Sequence, residues 1–376
     1  MIEYLEIRDA TRKLVGVLDI AKSIIWEAEF YGAGKFEVYT PLTEQALNLL
    51  QMGYYFTRRN EENAAIIETI QYTDSAQDGA MILVSGRMAK SILDRRLVYQ
   101  LNGNQITPVQ ISGNVATAVQ SVVRAHAGQG ANAARTMGVI IGSTGGITKQ
   151  ITSSTSGDSS RQSSYQNLLT FTDTVLQEYA CGALIRINDQ QQLIYDCYEG
   201  QDRSVGNTAG NTPVIFSQDF ENLLTAEYTE DTTNLRNFAL IGGEGEGLAR
   251  FYTTFDQDGA TGFQRREVFV NASSINRKYK PEGSETEQEY TTAQYTTLLT
   301  GQAQTKLKEL IITKTFTGEI NLTQSPYKYG KDADFWLGDI VTVQDNKLGL
   351  YTNVRILKAT EVQDIKGYLL SVKYGN

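Results

Sequence analysis

Alternation dominates the first hundred residues. In YLEIRD, LVGVL, SIIWEAEF, KFEVYT, YYFTRR, AAIIETIQYTD and AMILVSG, apolar and polar positions exchange with the period of two that lays one side of a strand on a core. One stretch, TEQALNLLQ, has helical spacing instead, and the Asp78-Gly79 pair before AMILVSG predicts a tight turn. Short strands joined by such turns predict a small barrel or sandwich.

The pattern changes between about Val98 and Asn222. Val115, Val119, Val122 and His126 fall along one helical face, and Tyr165, Leu168, Thr172, Val175 and Tyr179 along another, with Ser163 and Gln166 as a candidate capping box. Between them, the tract GSTGGITKQITSSTSGDSSRQSS has too little apolar surface to bury and predicts a mobile loop near 142–164. A hairpin, ALIRIN then LIYDCY, follows, flanked by Cys181 and Cys197. This block predicts an inserted α/β module.

Strands return in LRNFALIGG, ARFYTTF and REVFVNAS, then come an acidic loop, KPEGSETEQE, and a helix near 290–310 with Leu299, Ala303, Leu307 and Leu310 near one face. KELIITKTF, EINLT, DIVTVQ, VRILKATEV and YLLSVKYG finish the chain. The first and last segments share a plan: Gly53 stands opposite Gly338, Thr57 opposite Thr342, Gly79 opposite Gly367 and Val84 opposite Val372. The expected fold is therefore β-rich α+β, with two related tube-like β-barrels, 1–98 and 223–376, around an inserted α/β module, 99–222.

Composition supports this picture and removes several functions. The chain has 376 residues, 33 Gly, 21 Tyr and only 5 Pro, which favours strands and glycine turns, and its net charge of −9 opposes general affinity for nucleic acid. Glu3, Glu6 and Asp9 occupy the end where a secretory signal needs basic residues. No uncharged apolar run reaches the roughly 18 to 20 residues that span a bilayer, so a soluble chain without stable membrane anchoring is expected. Two cysteines provide neither a disulfide framework nor a thiolate metal site, and buried free thiols are the better reading.

Catalytic chemistry has little to work with. His126 is the single histidine, and its place on an apolar helix face favours a hydrogen-bonded packing residue over a general base. Glu227, Glu230 and Asp231 share one polar stretch, but a solvated strand end explains them better than a glycosidase pair. IGGEGEG follows a strand as a phosphate loop would, yet Glu244 and Glu246 oppose an anion and no amphipathic helix begins after it, so a glycine turn or bulge is expected. FDQDGATG lacks the distal Glu of a calcium loop and reads as a hairpin turn. The pairs Arg58-Arg59, Arg95-Arg96 and Arg265-Arg266 read as interface or surface ion-pair residues. No catalytic residue, cofactor or metal is expected. Abundant Tyr and carboxylates keep a carbohydrate-active or cell-wall-binding module as the alternative.

The order of IRDATRKLVGVLD, SIIWEAEFYGAGKFEVYTP, GYYFTRR and DGAMILVSGRMAKSILDRRLV, then LRNFALIGGEGEGLAR and the closing LGDIVTV to VKYG, resembles the siphovirus and prophage tail hub family across nearly the whole chain. The resemblance implies a structural protein, trimeric, whose two barrels per chain build a pseudo-sixfold ring around a channel. Its implied partners are tail tube, distal tail, tape measure and fibre or spike proteins, in a virion tail assembled in the bacterial cytoplasm. A spike of a contractile injection system would share this architecture. An acidic channel would suit passage of DNA, and ending soon after VKYG, without a peptidase or lysozyme-like extension, implies no enzymatic activity.

Overall fold

A computed structural model describes residues 4–59, 61–77, 79–151, 161–279, 286–320, 325–347 and 349–375. Asp78 of the expected turn, 152–160 of the Gly/Ser/Thr tract and 280–285 of the acidic loop lie outside the described residues. The chain divides into two compact units, one of residues 1–150, 161–228 and 315–376, the other of 151–160 and 229–314.

Among the described residues thirteen strands, most of them from the alternating segments, hydrogen-bond into one sheet. In chain order they are β1 (Leu5–Arg8), β2 (Leu14–Leu18), β3 (Ser23–Glu29), β4 (Lys35–Pro41), β5 (Tyr55–Thr57), β6 (Ala65–Ser75), β7 (Gly79–Met88), β8 (Ile215–Ser217), β9 (Leu223–Asp231), β10 (Thr313–Ile320), β11 (Ile340–Asp345), β12 (Leu350–Asp364) and β13 (Gly367–Gly375). Their spatial order is β9-β10-β13-β12-β3-β4-β7-β6-β5-β1-β2, with β11 on β12 and β8 on β11. The period of two does what the pattern requires: Ile24, Trp26 and Ala28 of β3 and Phe36, Val38 and Thr40 of β4 are buried, while their neighbours are not.

Two closed barrels are not what these strands form. Among the described residues β2 and β9 end an open sheet, and the halves join edge to edge through β12 and β3. Length is the cause. β12 runs for 15 residues and β11 for 6, so β11 covers only Leu350–Arg355 and leaves Lys358–Asp364 for β3. Each half keeps its own core, around Trp26, Phe36 and Phe56 in one and Phe316, Ile356 and Tyr374 in the other.

The internal similarity has a physical counterpart in the hydrogen bonds. Gly53 N–H donates to Ile67 O and Ile67 N–H to Tyr54 O; Gly338 N–H donates to Ile356 O and Ile356 N–H to Asp339 O. Both glycines have positive φ, 79° and 91°, which explains why glycine stands at each. A bulge interrupts β6 between Ile67 and Thr69, and β12 between Ile356 and Lys358. Past it, Ile70 faces Val84 as Ala359 faces Val372. Outward from the shared hairpin, β4 lies on β7 as β10 lies on β13, and β3 on β4 as β9 on β10. The repeat therefore covers β3, β4, β5, β6 and β7 against β9, β10, β11, β12 and β13. It stops at the next strand, since β1 is antiparallel to β5 whereas β8 is parallel to β11.

Among the described residues there are four α-helices, α1 (Glu44–Leu49), α2 (Val115–His126) and α3 (Leu168–Glu178) in the unit of the large sheet and α4 (Thr292–Glu309) in the second unit. α2 buries the expected stripe, Val115, Val119, Val122 and His126. α3 starts later than the spacing predicts. Asn167, not Ser163, caps it by accepting from Thr170 N–H, and Tyr165 is exposed outside it. The reason is local: Val98 N–H donates to Gln166 O and Leu168 N–H to Arg96 O, holding Gln166 and Asn167 out of the helix. In the second unit α4 carries the capping box, Thr291 with Gln294, and packs Tyr295, Leu299, Ala303 and Leu307 on the sheet of Phe238–Gly242, Tyr252–Asp256 and Glu267–Asn271.

Candidate functional site

His126 is buried, and Arg135 donates to its Nδ1 at 3.2 Å, engaging the lone pair that a general base would use. Burial and then the Arg135 charge push its imidazole down to about 4. The thiols of Cys181 and Cys197 are free and buried, and burial raises both, to about 11 and about 12. IGGEGEG is the turn between two antiparallel strands, with Gly245 and Gly247 at positive φ. Asp256 Oδ1 accepts from Gly259 N–H in the FDQDGATG turn. Of the three acidic residues on β9, Asp231 caps a turn by accepting from the Thr233 backbone and hydroxyl.

Where the two halves meet, polar groups converge. β12 and β3 pair antiparallel from Lys358 with Glu29 to Asp364 with Ser23. On one face the Lys358 ammonium sits 3.0 Å from Glu27 and 2.9 Å from Glu29, and the Thr360 hydroxyl donates to Glu27. On the core face Glu361 stands opposite Trp26. Its carboxylate accepts two N–H groups of Arg58, at 2.9 and 3.0 Å, and the Tyr368 hydroxyl at 2.7 Å. The Arg58 guanidinium lies 5.3 Å from the Trp26 ring centroid. Side-chain exposures of 7% and 9% make Arg58 and Glu361 a buried pair. A second carboxyl, Glu61, is pushed up to about 7 by burial first and Glu361 next, against Arg58 and hydrogen bonds from Asn63.

The sequence marked Arg58 only as half of a basic pair and gave no signal for Glu361. Their meeting spans 303 positions and depends on the β12–β3 pairing.

The same joint identifies two edges that lack a counterpart. β6 carries Thr69–Ser75 where β12 carries Lys358–Asp364; β7 covers one side, and among the described residues no strand covers the other side of Thr69–Asp74. β9 occupies the place of β3, and among the described residues no strand lies beyond it. Tyr72 on the first edge and Leu224 on the second are 55% and 52% exposed.

A family described as Siphovirus ReqiPepy6 Gp37-like protein matches residues 4–376. The chain belongs to that family. Solved structures agree on the fold. The chain is similar to the tail protein from Neisseria meningitidis MC58 (TM-score 0.58, 14% identity, 100% of this chain and 97% of the other). It is also similar to the 43 kDa tail protein of prophage MuSo2 from Shewanella oneidensis (0.57, 12%, 99% and 98%) and to prophage tail protein gp18 from Listeria monocytogenes EGD-e (0.50, 13%, 100% and 94%). No curated protein matches it. Family membership therefore rests on sequence over nearly the full chain, and the architecture on whole-length fold similarity to phage tail proteins.

Proposed function

We propose that this protein is a structural subunit of a phage or prophage tail hub, assembled in the host cytoplasm and carried in the virion tail. The observation that supports this most is the repeat within one chain. Three chains with two like halves present six comparable positions to a sixfold tube or distal tail ring, and three to fibres or a spike, which is the symmetry match a hub performs. The division into 1–98, 99–222 and 223–376 then has a purpose: the outer segments contribute the two ring positions and the middle one braces them. Barrel closure, which the single chain lacks, comes from neighbouring copies. Its role is architectural, with no cofactor or metal.

Light scattering after size exclusion tests this reading, at high concentration and in a mixture with the tail tube or distal tail protein of the same phage. A trimer, or a complex with three copies, is expected. A monomer under both conditions would overturn it.

A further inference from the structure

We infer that neighbouring copies join by strand addition, the Thr69–Asp74 edge of β6 pairing antiparallel with β9 of the next copy and repeating between chains the β12–β3 joint found within each chain. This rests on the trimeric reading above and specifies the contact.

Within the chain, the strand after the bulge of the second half (β12) finds the first strand of the other half (β3). The strand after the bulge of the first half (β6) and the first strand of the second half (β9) are the same two elements, and both have open sides. A twofold dimer would have to form both β6–β9 pairs at once between the same two chains, whereas repeating the β12–β3 joint gives each edge a different neighbour; that head-to-tail contact either closes into a ring or runs on as a filament. With two halves per chain and three chains, three joints within chains alternate with three between them.

Chemistry favours a second copy over a foreign strand. Unpaired N–H and C=O rows on a long edge are templates for association unless blunted, and proteins blunt them with proline, lysine or inward charges. From Thr69 to Thr73 the β6 edge reads Thr-Ile-Gln-Tyr-Thr, and Leu223–Ala226 of β9 reads Leu-Leu-Thr-Ala, with no proline in either; charge enters only beyond these stretches, at Asp74 on β6 and at Glu227, Glu230 and Asp231 on β9. The partly exposed Tyr72 and Leu224 would be covered by the joint. A joint of this length covers less surface than the roughly 1,200–2,000 Å² of a stable interface, so a single contact is weak and ring closure, which engages both edges of every chain, provides the stability.

Disulfide trapping tests the pairing. Gln71→Cys is combined in turn with Leu224→Cys, Thr225→Cys, Ala226→Cys and Glu227→Cys, since facing residues of neighbouring strands have Cβ atoms about 4.5–5.5 Å apart, close enough to bridge in one register. Cys181 and Cys197 are buried and stay out of the reaction. Oxidation at high concentration is expected to give a covalent ladder ending at three chains for one of these pairs, and none for Gln71→Cys with Val15→Cys on the β2 edge. Gln71→Pro and Tyr72→Pro provide a second measurement. Successive N–H groups of a strand point to opposite sides, so one variant loses only an edge donor and should weaken association about tenfold or more at an unchanged melting temperature. A trimer by light scattering that none of the four pairs crosslinks and neither proline weakens would overturn the edge assignment and leave the hub standing. A chain that is monomeric under every condition would sink both.

Discussion

At the scale of single residues, the pair that decides most is Arg58 with Glu361. Both are nearly enclosed, and Glu361 has all its neighbours in place: two guanidinium N–H groups and the Tyr368 hydroxyl. Removing Glu361 takes the two-pronged partner from a buried guanidinium, and removing Arg58 leaves the Glu361 carboxylate buried without that cation. Glu361→Ala is therefore expected to lower unfolding free energy by about 3–5 kcal/mol, whereas Arg58→Met with Glu361→Leu recovers most of that loss, both measured by urea denaturation. Glu61 adds a dependence on pH. Its folded value, about 7, lies above the ordinary 4.5, so the folded state holds the proton more tightly, and the stability this contributes is complete below about pH 4.5 and lost as pH rises through 7. Glu61→Gln cannot ionise. The difference between wild type and this variant should widen from pH 5 to pH 8 by about 1–3 kcal/mol in favour of the variant, and parallel pH profiles would show that Glu61 titrates normally.

At the scale of elements, local rules account for most of what forms and long-range pairing for what they missed. The alternating segments became strands, and the helix near 290–310 became α4 with its stripe, because period and capping are written within a dozen residues. The repeat was legible for the same reason: Gly53 and Gly338 mark the same left-handed position, and Val84 and Val372 the same core row. Barrel closure was not legible, since it depends on which edges meet, and nothing in the alternation of β12 says that its second half leaves β11 for β3. The start of α3 shows the limit on a small scale. Ser163 accepts from Gln166 N–H as a capping serine would, yet the helix begins only at Leu168 and Asn167 performs the cap. Asn167 also donates to the Asp94 backbone and carboxylate. Asn167→Ala should cost about 1–2 kcal/mol in a thermal or urea melt, and Ser163→Ala well under half as much; equal losses would mean that the turn at Ser163 nucleates the helix after all.

At the scale of the molecule, the two halves differ most in what lies between their first two strands. β3 passes to β4 through the short turn 30–34, whereas β9 passes to β10 through 232–312, which contain the second unit's sheet and α4. That unit has a core of its own, with Ala239, Ile241, Leu299 and Leu307 closed against one another, so it does not need the large sheet to bury its apolar surface. The buried pair, the β12–β3 joint and the edge of β6 all belong to the other unit. If the first half shows how such a module is connected at minimum, grafting the 30–34 turn in place of 232–312 restores that minimum in the second. The shortened chain is expected to melt in one cooperative transition, with the trimer retained in light scattering, because every strand of both repeats and both proposed edges remain. Loss of the melt would mean that β9 and β10 cannot pair without the inserted unit. A folded chain that no longer trimerises would instead move the contact between copies from the strand edges to the inserted unit, and the two results separate the contribution of the repeat from that of the insertion.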